Sequence, residues 1–432
     1  MTLLRDMRYP TPRELALAAR ALADEHPARV GLRQAGTSRA GAPLWLLSVG
    51  AGGGPHDVPV VSGGGPRDVL VVAGAHANEP VGGATALSLA RRIIRDPAVG
   101  AGAGWHFLLC ADPDGADLHR TPRPYSLLDY HRNFFRPPGP EQPEWAPSLL
   151  TPDRLPPETL ALNSLIDELR PVLQVSLHGT DLGGSWVQLT RDIPGLAEPF
   201  GKSAAELRIP VETGASDAAG WPSPGPGIFV MPDPGSGPAG AFHPEDTRLS
   251  TWYRVHRHHG TTAIVEVPMW ASDLVDDPAP HPDPRHALRV LAGRLTEDAG
   301  RVAGLRDTTR GADPAAAALL RAVDWTLALI PRIAAEWTGP GAPVEATAAA
   351  IGSIDAFGRR LSLRAAAMLL RVLRAQAHPA APGLDRLVTG WCEEFSARFQ
   401  GRWVPVATQV EHQCRTVLAA YERLTAPGPR GF

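Results

Sequence analysis

Short apolar runs of strand length, alternating with stretches of helical periodicity, constrain this chain more than any other feature. Residues 44–49, 69–75, 106–111, 172–177 and 262–267 are nearly continuous in Leu, Val, Ile, Phe and Ala. Strands buried on both faces read this way, because neither side alternates with polar residues. Between them, 81–94 and 157–169 place apolar residues at helical spacing. An earlier helix opens at Thr11, where a hydroxyl at the cap, Pro12 at the first helical position and Glu14 three residues on form a capping box. Leu15, Leu17, Ala18 and Leu22 then follow with helical periodicity. Alternating strands and helices predict an α/β domain around a mostly parallel or mixed sheet.

Past about residue 280 the pattern changes. Stretches 285–305, 314–337, 346–375, 383–399 and 406–424 are rich in Ala, Leu and Arg at helical spacing, with no strand-like run among them. The expected organisation is an α/β domain over 1–280 and an all-α region over 281–432. Helices of this kind could cover an edge of the core, restrict access to a site or form a homodimer interface. Three segments read as loops. These are the glycine- and proline-rich 50–67, the proline-rich 137–157, and 213–246, which is dense in Gly, Pro, Asp and Ser. Long loops inside a compact domain are usually functional or disordered; Trp221, Phe229 and Phe242 of the third are either candidate contacts over a site or aromatics tucked under an ordinary solvent loop.

Composition excludes several classes of protein. A formal net charge of -3 gives no reason to expect nucleic acid or an anionic membrane as partner. No apolar run reaches the 18 or so residues of a membrane span. The opening MTLLRDMRYP lacks an apolar signal segment, so a cytoplasmic location is expected. Cys110, Cys392 and Cys414 are far apart and form no CxxC pair, which argues against a disulfide framework or a thiolate zinc site.

The chemistry is carried by four side chains. His76 and Glu79 follow the run VLVVAGA and precede a helix, which places them at the C-terminal end of a strand, where open α/β sheets build their sites. An imidazole and a carboxylate three residues apart can turn to one metal ion, and a catalytic zinc takes three protein ligands and a water. His178 ends the run VLQVSL on the same rim, and Glu266 interrupts the run AIVEV. A carboxylate inside an apolar strand is costly unless it is paired, protonated or working. Each residue alone has a plainer reading, as a surface pair, a satisfied core histidine or a buried ion pair. Four polar groups on the rims of three strands would each need a separate such explanation. His256, His258 and His259, beside Arg254 and Arg257, read better as a solvated basic face than as a second metal patch.

These residues, in this order, resemble the zinc carboxypeptidase family. Tyr9-Pro10-Thr11 and the Gly36–Gly41 stretch resemble its entry to the domain, His76-x-x-Glu79 its first metal motif, and Pro113-Asp114-Gly115 its PDG turn. Arg132-Asn133-Phe134 resembles its substrate motif, while His178 and Glu266 resemble its last zinc ligand and its catalytic carboxylate. The resemblance covers about residues 7–275. It implies an α/β/α sandwich with a mixed central sheet of roughly eight strands, to which the all-α C-terminal region is added. It implies one Zn2+ held by His76, Glu79 and His178, with Glu266 as general base. A peptide or similar amide with a free C-terminal carboxylate would be the substrate. Arg132 would hold that carboxylate, His131 and Asn78 would line the subsite, and Arg120, with Arg123 as the alternative, would stabilise the oxyanion. Tyr253 is the nearest match to the family's mobile tyrosine. His131 stands where the family usually has Asn. Two rival readings remain: an N-acyl amino acid amidohydrolase of the related deacylase group, and a zinc-binding scaffold without activity.

Overall fold

The computed structural model describes residues 8–50, 67–119, 125–232, 247–309, 314–343 and 345–426. Twelve α-helices and nine strands lie within them. The strands are β1 (Val30–Thr37), β2 (Pro43–Val49), β3 (Val69–Ala73), β4 (Trp105–Leu108), β5 (Leu173–Gly183), β6 (Trp186–Leu189), β7 (Ile228–Val230), β8 (Thr261–Ala271) and β9 (Arg402–Trp403). The helices of the first part are α1 (Pro12–Glu25), α2 (Val81–Arg95), α3 (Pro113–Leu118), α4 (Leu127–Arg132), α5 (Pro157–Leu169), α6 (Ala197–Leu207) and α7 (Thr251–Arg254). Those of the second part are α8 (Pro284–Arg306), α9 (Pro314–Thr338), α10 (Ala348–Ala375), α11 (Ala381–Phe399) and α12 (Val406–Thr425).

The strands form one mixed sheet in the order β1-β2-β4-β3-β5-β8-β6-β7, with β9 paired to the end of β8. The four central strands β4, β3, β5 and β8 run parallel. Antiparallel pairs flank them at β2–β4 and β6–β8. All five expected strands and every expected helix are present. The strands missed are β1, whose Arg33 and Gln34 break its apolar character, and the short β6, β7 and β9. A strand held mainly by its neighbours needs little propensity of its own.

Alternation along the strands divides the core. Val69, Val71, Ala73, Leu173, Val175, Leu177, Val265 and Val267 face a layer made by α1, α2, α6 and α12. Leu70, Val72 and Leu108 face α5 on the other side, completing an α/β/α sandwich. The helices α9, α10 and α11 pack together around Met368, Leu369, Phe395 and Phe399 and meet α4 and the end of β8 through Tyr130, Met269 and Trp270. The C-terminal helices therefore do not stay together. Four, α8 to α11, pack together beside α4, and α12 lies against the sheet with α2 and α6.

The last helix is tied to the middle of the sheet by hydrogen bonds. Gln413 Nε2 donates to the carbonyls of His178 (2.7 Å) and Val265 (3.2 Å), and its Oε1 accepts from Thr85 Oγ1 (2.7 Å). His412 bridges the Ser185 and Ser203 hydroxyls at 2.9 Å each, and Ser185 Oγ donates to the Glu266 carbonyl. All of these groups are buried, where an unsatisfied polar atom would be expensive. Among the described residues, no helix is long and apolar enough to cross a membrane.

Candidate metal centre

The site begins at the C-terminal end of β3. Gly74 has φ 62°, in the left-handed region, and a Cβ there would fall 2.9 Å from Cys110 Sγ. Only glycine makes this turn without strain. The turn swings the chain so that His76 and Glu79 sit above the strand ends, just before α2. His178 and Glu266 come from adjacent parallel strands and are paired directly in the β5–β8 register. Their neighbours Leu177, Val265 and Val267 belong to the opposite face, so both side chains emerge on the side roofed by α9 and α10.

Three groups converge. His76 Nδ1 lies 3.0 Å and His178 Nδ1 2.9 Å from the same oxygen, Glu79 Oε2. One ligand atom from each of the three side chains lies within 4.8 Å of the others, and all three residues are buried. Two imidazoles and one carboxylate form a donor set suited to a catalytic zinc, which leaves a coordination position open for water. Glu266 Oε1 is 3.8 Å from His178 Nδ1, at the edge of the cluster.

Burial and charge set the protonation states. Burial works against a charge on His178, but Glu79 and Glu144 on its two sides outweigh it and hold the imidazole well above its ordinary value. Burial alone would raise Glu79; His76 and His178 instead pull it well below the carboxylate range. His76 falls to about 4 through burial and the neighbouring Arg136. Glu266 is pushed up to about 8, first by burial and then by the Glu79 charge. A divalent cation between these acids would remove that repulsion and favour carboxylate.

Glu144 was not foreseen from the sequence. It is 1% exposed and accepts from Ser176 Oγ (2.6 Å), Trp252 Nε1 (2.9 Å) and His178 Nε2 (3.0 Å). In the neutral ring, a proton held on Nε2 by Glu144 leaves the lone pair of His178 on Nδ1, the nitrogen facing Glu79. Such carboxylate–histidine pairs fix the tautomer of metal-binding imidazoles. An acid in a proline-rich loop carries no local signal of this role.

Arg136 was also unforeseen, though it lies four residues after Arg132. Its Nη1 donates to Glu79 Oε1 (2.9 Å) and its Nη2 to His76 Nε2 (3.0 Å). A guanidinium can only donate. If His76 ligates through Nδ1, its ring proton moves to Nε2 and faces Arg136. If it ligates through Nε2, the ion takes the place of Arg136. Either way metal loading requires Arg136 to release His76, and the cavity it lines is then open to it.

Several expected site residues lie elsewhere. Arg132 pairs with Asp385 of α11 at 2.9 Å and donates to Thr389 Oγ1 at 3.1 Å, and it does not line the cavity. His131 is fully buried, with Nδ1 on the Leu127 carbonyl and Nε2 3.5 Å from Asp181. Asn78 turns to Tyr130, exchanging hydrogen bonds at 3.3 and 3.1 Å. Neither His131 nor Asn78 lines the cavity, because α4 and the helices above it absorb both. Tyr253 packs on His256, with ring centroids 4.9 Å apart, and its neighbour Trp252 forms the wall instead. Phe229 stacks edge-on against Trp186, and neither it nor Trp221 lines the cavity. The same loop does supply Ala215, Ser216 and Asp217 to the wall. Pro113-Asp114-Gly115 is the first turn of α3 rather than a free turn. In the basic cluster, His258 pairs with Asp167 and His256 contacts Thr190. Arg120, Arg123 and Phe242 lie outside the described residues.

The cavity over the metal cluster has a volume of about 260 Å3. Its floor is His76, Glu79, His178 and Glu266, with Trp145, Trp186 and Trp252 at the sides. Its roof comes from α9 and α10, through Trp325, Phe357, Arg360 and Arg364 among others.

The family comparison agrees with the sequence resemblance over part of the chain. The zinc carboxypeptidase family model matches residues 17–185, a segment holding His76, Glu79 and His178. No curated protein matches the whole sequence significantly. Among solved structures, a metallo-carboxypeptidase from Burkholderia cenocepacia aligns at 17% identity and TM-score 0.37, over 61% of each chain. The chain thus spans about three fifths of that protein's length. Carboxypeptidase A from Helicoverpa armigera aligns at 17% identity and TM-score 0.36, over 61% of this chain and 65% of that one. A murein-tripeptide amidase from Escherichia coli O157 aligns at 19% identity and TM-score 0.29, over 55% and 83%.

Proposed function

We propose that the protein is a zinc-dependent metallo-carboxypeptidase that removes a C-terminal residue from a small peptide, a reading supported by the match of residues 17–185 to the zinc carboxypeptidase family model. The observation that carries this reading is the convergence of His76, Glu79 and His178 within one ligand sphere, with Glu266 in register beside His178 on the floor of a cavity.

When bound, zinc supplies the Lewis acidity that brings the pKa of a coordinated water to about 7. Glu266 would take a proton from the attacking water as the water oxygen bonds to the scissile carbonyl carbon and the carbonyl π pair moves onto its oxygen. The same proton then goes to the amine nitrogen as the C–N bond breaks, so Glu266 ends as it began. Glu79 and Glu144 hold His178 between them, and Glu144 keeps its proton on Nε2. Arg136, released from His76, is the cation on hand to meet the carbonyl oxygen as it gains negative charge. The tryptophans at the sides shield the reacting bond from bulk water, which strengthens each of these charge interactions.

Zinc content and mass-spectrometric profiling of a peptide library, with and without chelator, test the reading together. The expected result is one zinc per chain and stepwise loss of C-terminal residues, abolished by chelator and restored by zinc. A library left intact by the zinc-loaded protein would refute it. The small roofed cavity also favours a second reading, hydrolysis of N-acyl amino acids. Turnover of N-acyl amino acids in preference to every dipeptide and tripeptide would select it.

A further inference from the structure

Arg132, which the family resemblance makes the carboxylate-binding arginine, is spent on Asp385 and Thr389 outside the cavity. The cavity nevertheless carries positive charge on its roof. Arg360 and Arg364 stand one turn apart on α10, and both line it. They share one fully buried acid. Arg360 Nε is 3.0 Å from Asp181 Oδ1, and Arg364 Nη2 donates to Asp181 Oδ2 at 3.1 Å.

The charges around Asp181 do not balance. His131 also approaches its Oδ2, at 3.5 Å, and although burial opposes a charge there, Cys392 and Asp181 hold that imidazole up at about 9. Two guanidinium ions that line the cavity therefore share one carboxylate, with the His131 ring beside it. Arg364 Nε is buried without a hydrogen-bond partner among the described residues, and its guanidinium lies 4.9 Å from the ring centre of Phe134, another wall residue. Of the acids on the wall beyond the metal cluster, Glu212 is held by Ser353 Oγ (2.7 Å) and Gly184 N (3.0 Å), and the other is Asp217. A buried excess of cationic donors calls for an anion, and guanidinium forks bind carboxylates in a matching plane.

We propose that Arg360 and Arg364 of α10 form the substrate's anion subsite, holding the free carboxylate of the leaving residue in place of Arg132. The inference rests on the peptidase reading for the identity of the anion. The roof helix then acts as a ruler. By fixing the carboxylate, it determines which amide bond lies over Glu266, and a chain continuing past that carboxylate meets α10.

The test uses zinc-loaded full-length protein and a pool of N-acetyl dipeptides, each as the free acid and as the C-terminal amide. Turnover is followed in the wild type, R360Q, R364Q, R364K and R132Q. Equilibrium binding of both pools is measured in parallel in each protein carrying E266Q as well, and thermal melting of every variant reports whether the fold survives the change beside Asp181. The expected result is preference for acids, a KM raised roughly ten- to hundredfold in R360Q and R364Q with kcat nearly kept, partial rescue in R364K, and no change in R132Q. Equal handling of acids and amides by the wild type, or loss of the preference in R132Q rather than in the α10 variants, overturns the subsite and leaves the peptidase reading standing. Acids bound tightly but never cleaved, with binding lost in R364Q, would remove the peptidase reading and keep the subsite. If neither pool binds, the subsite is overturned. Should R364Q unfold, R360Q and R364K decide the matter, since the first must lose the acid preference and the second must keep part of it.

Discussion

The floor and the roof of the cavity were built under different rules. On the floor, chemistry restricts the choice: His76, Glu79 and His178 form a candidate metal site, where a metal accepts few donor types, and Glu266 is the general base of the proposed reaction. On the roof, Arg360 and Arg364 are two arginines among the many on the C-terminal helices, and only their position over the floor gives them meaning. Residues demanded by chemistry are visible in a sequence, whereas residues demanded by place are visible only in a fold. The helices themselves repeat the contrast, since α10 faces the floor from within the cavity while α12 braces the same two strands from behind.

The sharpest way to break this contrast is to remove one floor group and ask whether the roof can compensate. Glu266→Gln keeps the shape and the hydrogen bonding but cannot take a proton. Loss of a general acid–base group costs about 10²–10⁴-fold, so single-turnover hydrolysis should fall by that factor while zinc content stays near one per chain. A turnover within threefold of wild type would take the base away from Glu266 and leave it a structural acid.

The two regions should also answer differently to pH. Asp112, which caps α3 on the floor side, accepts from Gly115 N at 2.9 Å, but its Oδ2 is buried without a hydrogen-bond partner among the described residues. Burial pushes this carboxyl up to about 7, against the pull of the Gly115 amide and of Arg39. A folded-state value above the unfolded one means that the folded protein holds the extra proton. The stabilisation is fully present below about pH 4 and is lost as pH rises through about 7, a change on the order of a few kcal/mol. Asp181 under the roof is held well below the usual range: burial raises it, but Arg364 and Arg360 outweigh that, so its contribution persists across the same window. Thermal unfolding of metal-free protein between pH 4 and 8 should show the wild type losing stability relative to Asp112→Asn as pH rises. A difference that stays constant across the window would place the proton elsewhere.

How much of this could be read beforehand follows the same division. The five expected strands announced themselves because strands buried on both faces must be continuously apolar, and the C-terminal helices because their periodicity extends over 19 to 28 residues. β6, β7 and β9 could not, being four residues or shorter and held by their neighbours. The floor residues were legible from their types and order. Arg132 was misplaced for a physical reason: a short motif gives the residue but not its rotamer, and α11, which lies outside the resemblance, supplies Asp385 to capture it. The same holds for His131, which Asp181 and the Leu127 carbonyl claim first. Glu144 had no local signature at all, because its meaning comes from a histidine 34 residues later in the chain.

Glu144 therefore sits between the two categories, a residue set by chemistry yet found only by place. Glu144→Gln keeps the volume and one acceptor but removes the charge that makes His178 a better donor. Disturbing such a partner costs about 10–100-fold in metal affinity, which competition with a chromophoric chelator can read directly. The fold should survive, since Trp252 can still donate to the amide oxygen while the amide NH2 donates to the Ser176 hydroxyl. Affinity within twofold of wild type would show that His178 is held by packing alone.

The smallest effect concerns the brace behind the site. Gln413→Leu leaves the His178 carbonyl and Thr85 Oγ1 without this partner while roughly preserving volume. Each buried group so orphaned costs about 1–3 kcal/mol, partly offset by the apolar side chain. The expected outcome is a lower midpoint in urea with an unchanged m-value, accompanied by unchanged zinc affinity, because the β5–β8 ladder still sets His178 against Glu266. If zinc affinity fell along with stability, α12 would be shaping the metal site through the sheet, and the separation between residues fixed by chemistry and residues fixed by place would have to be redrawn at the strands themselves.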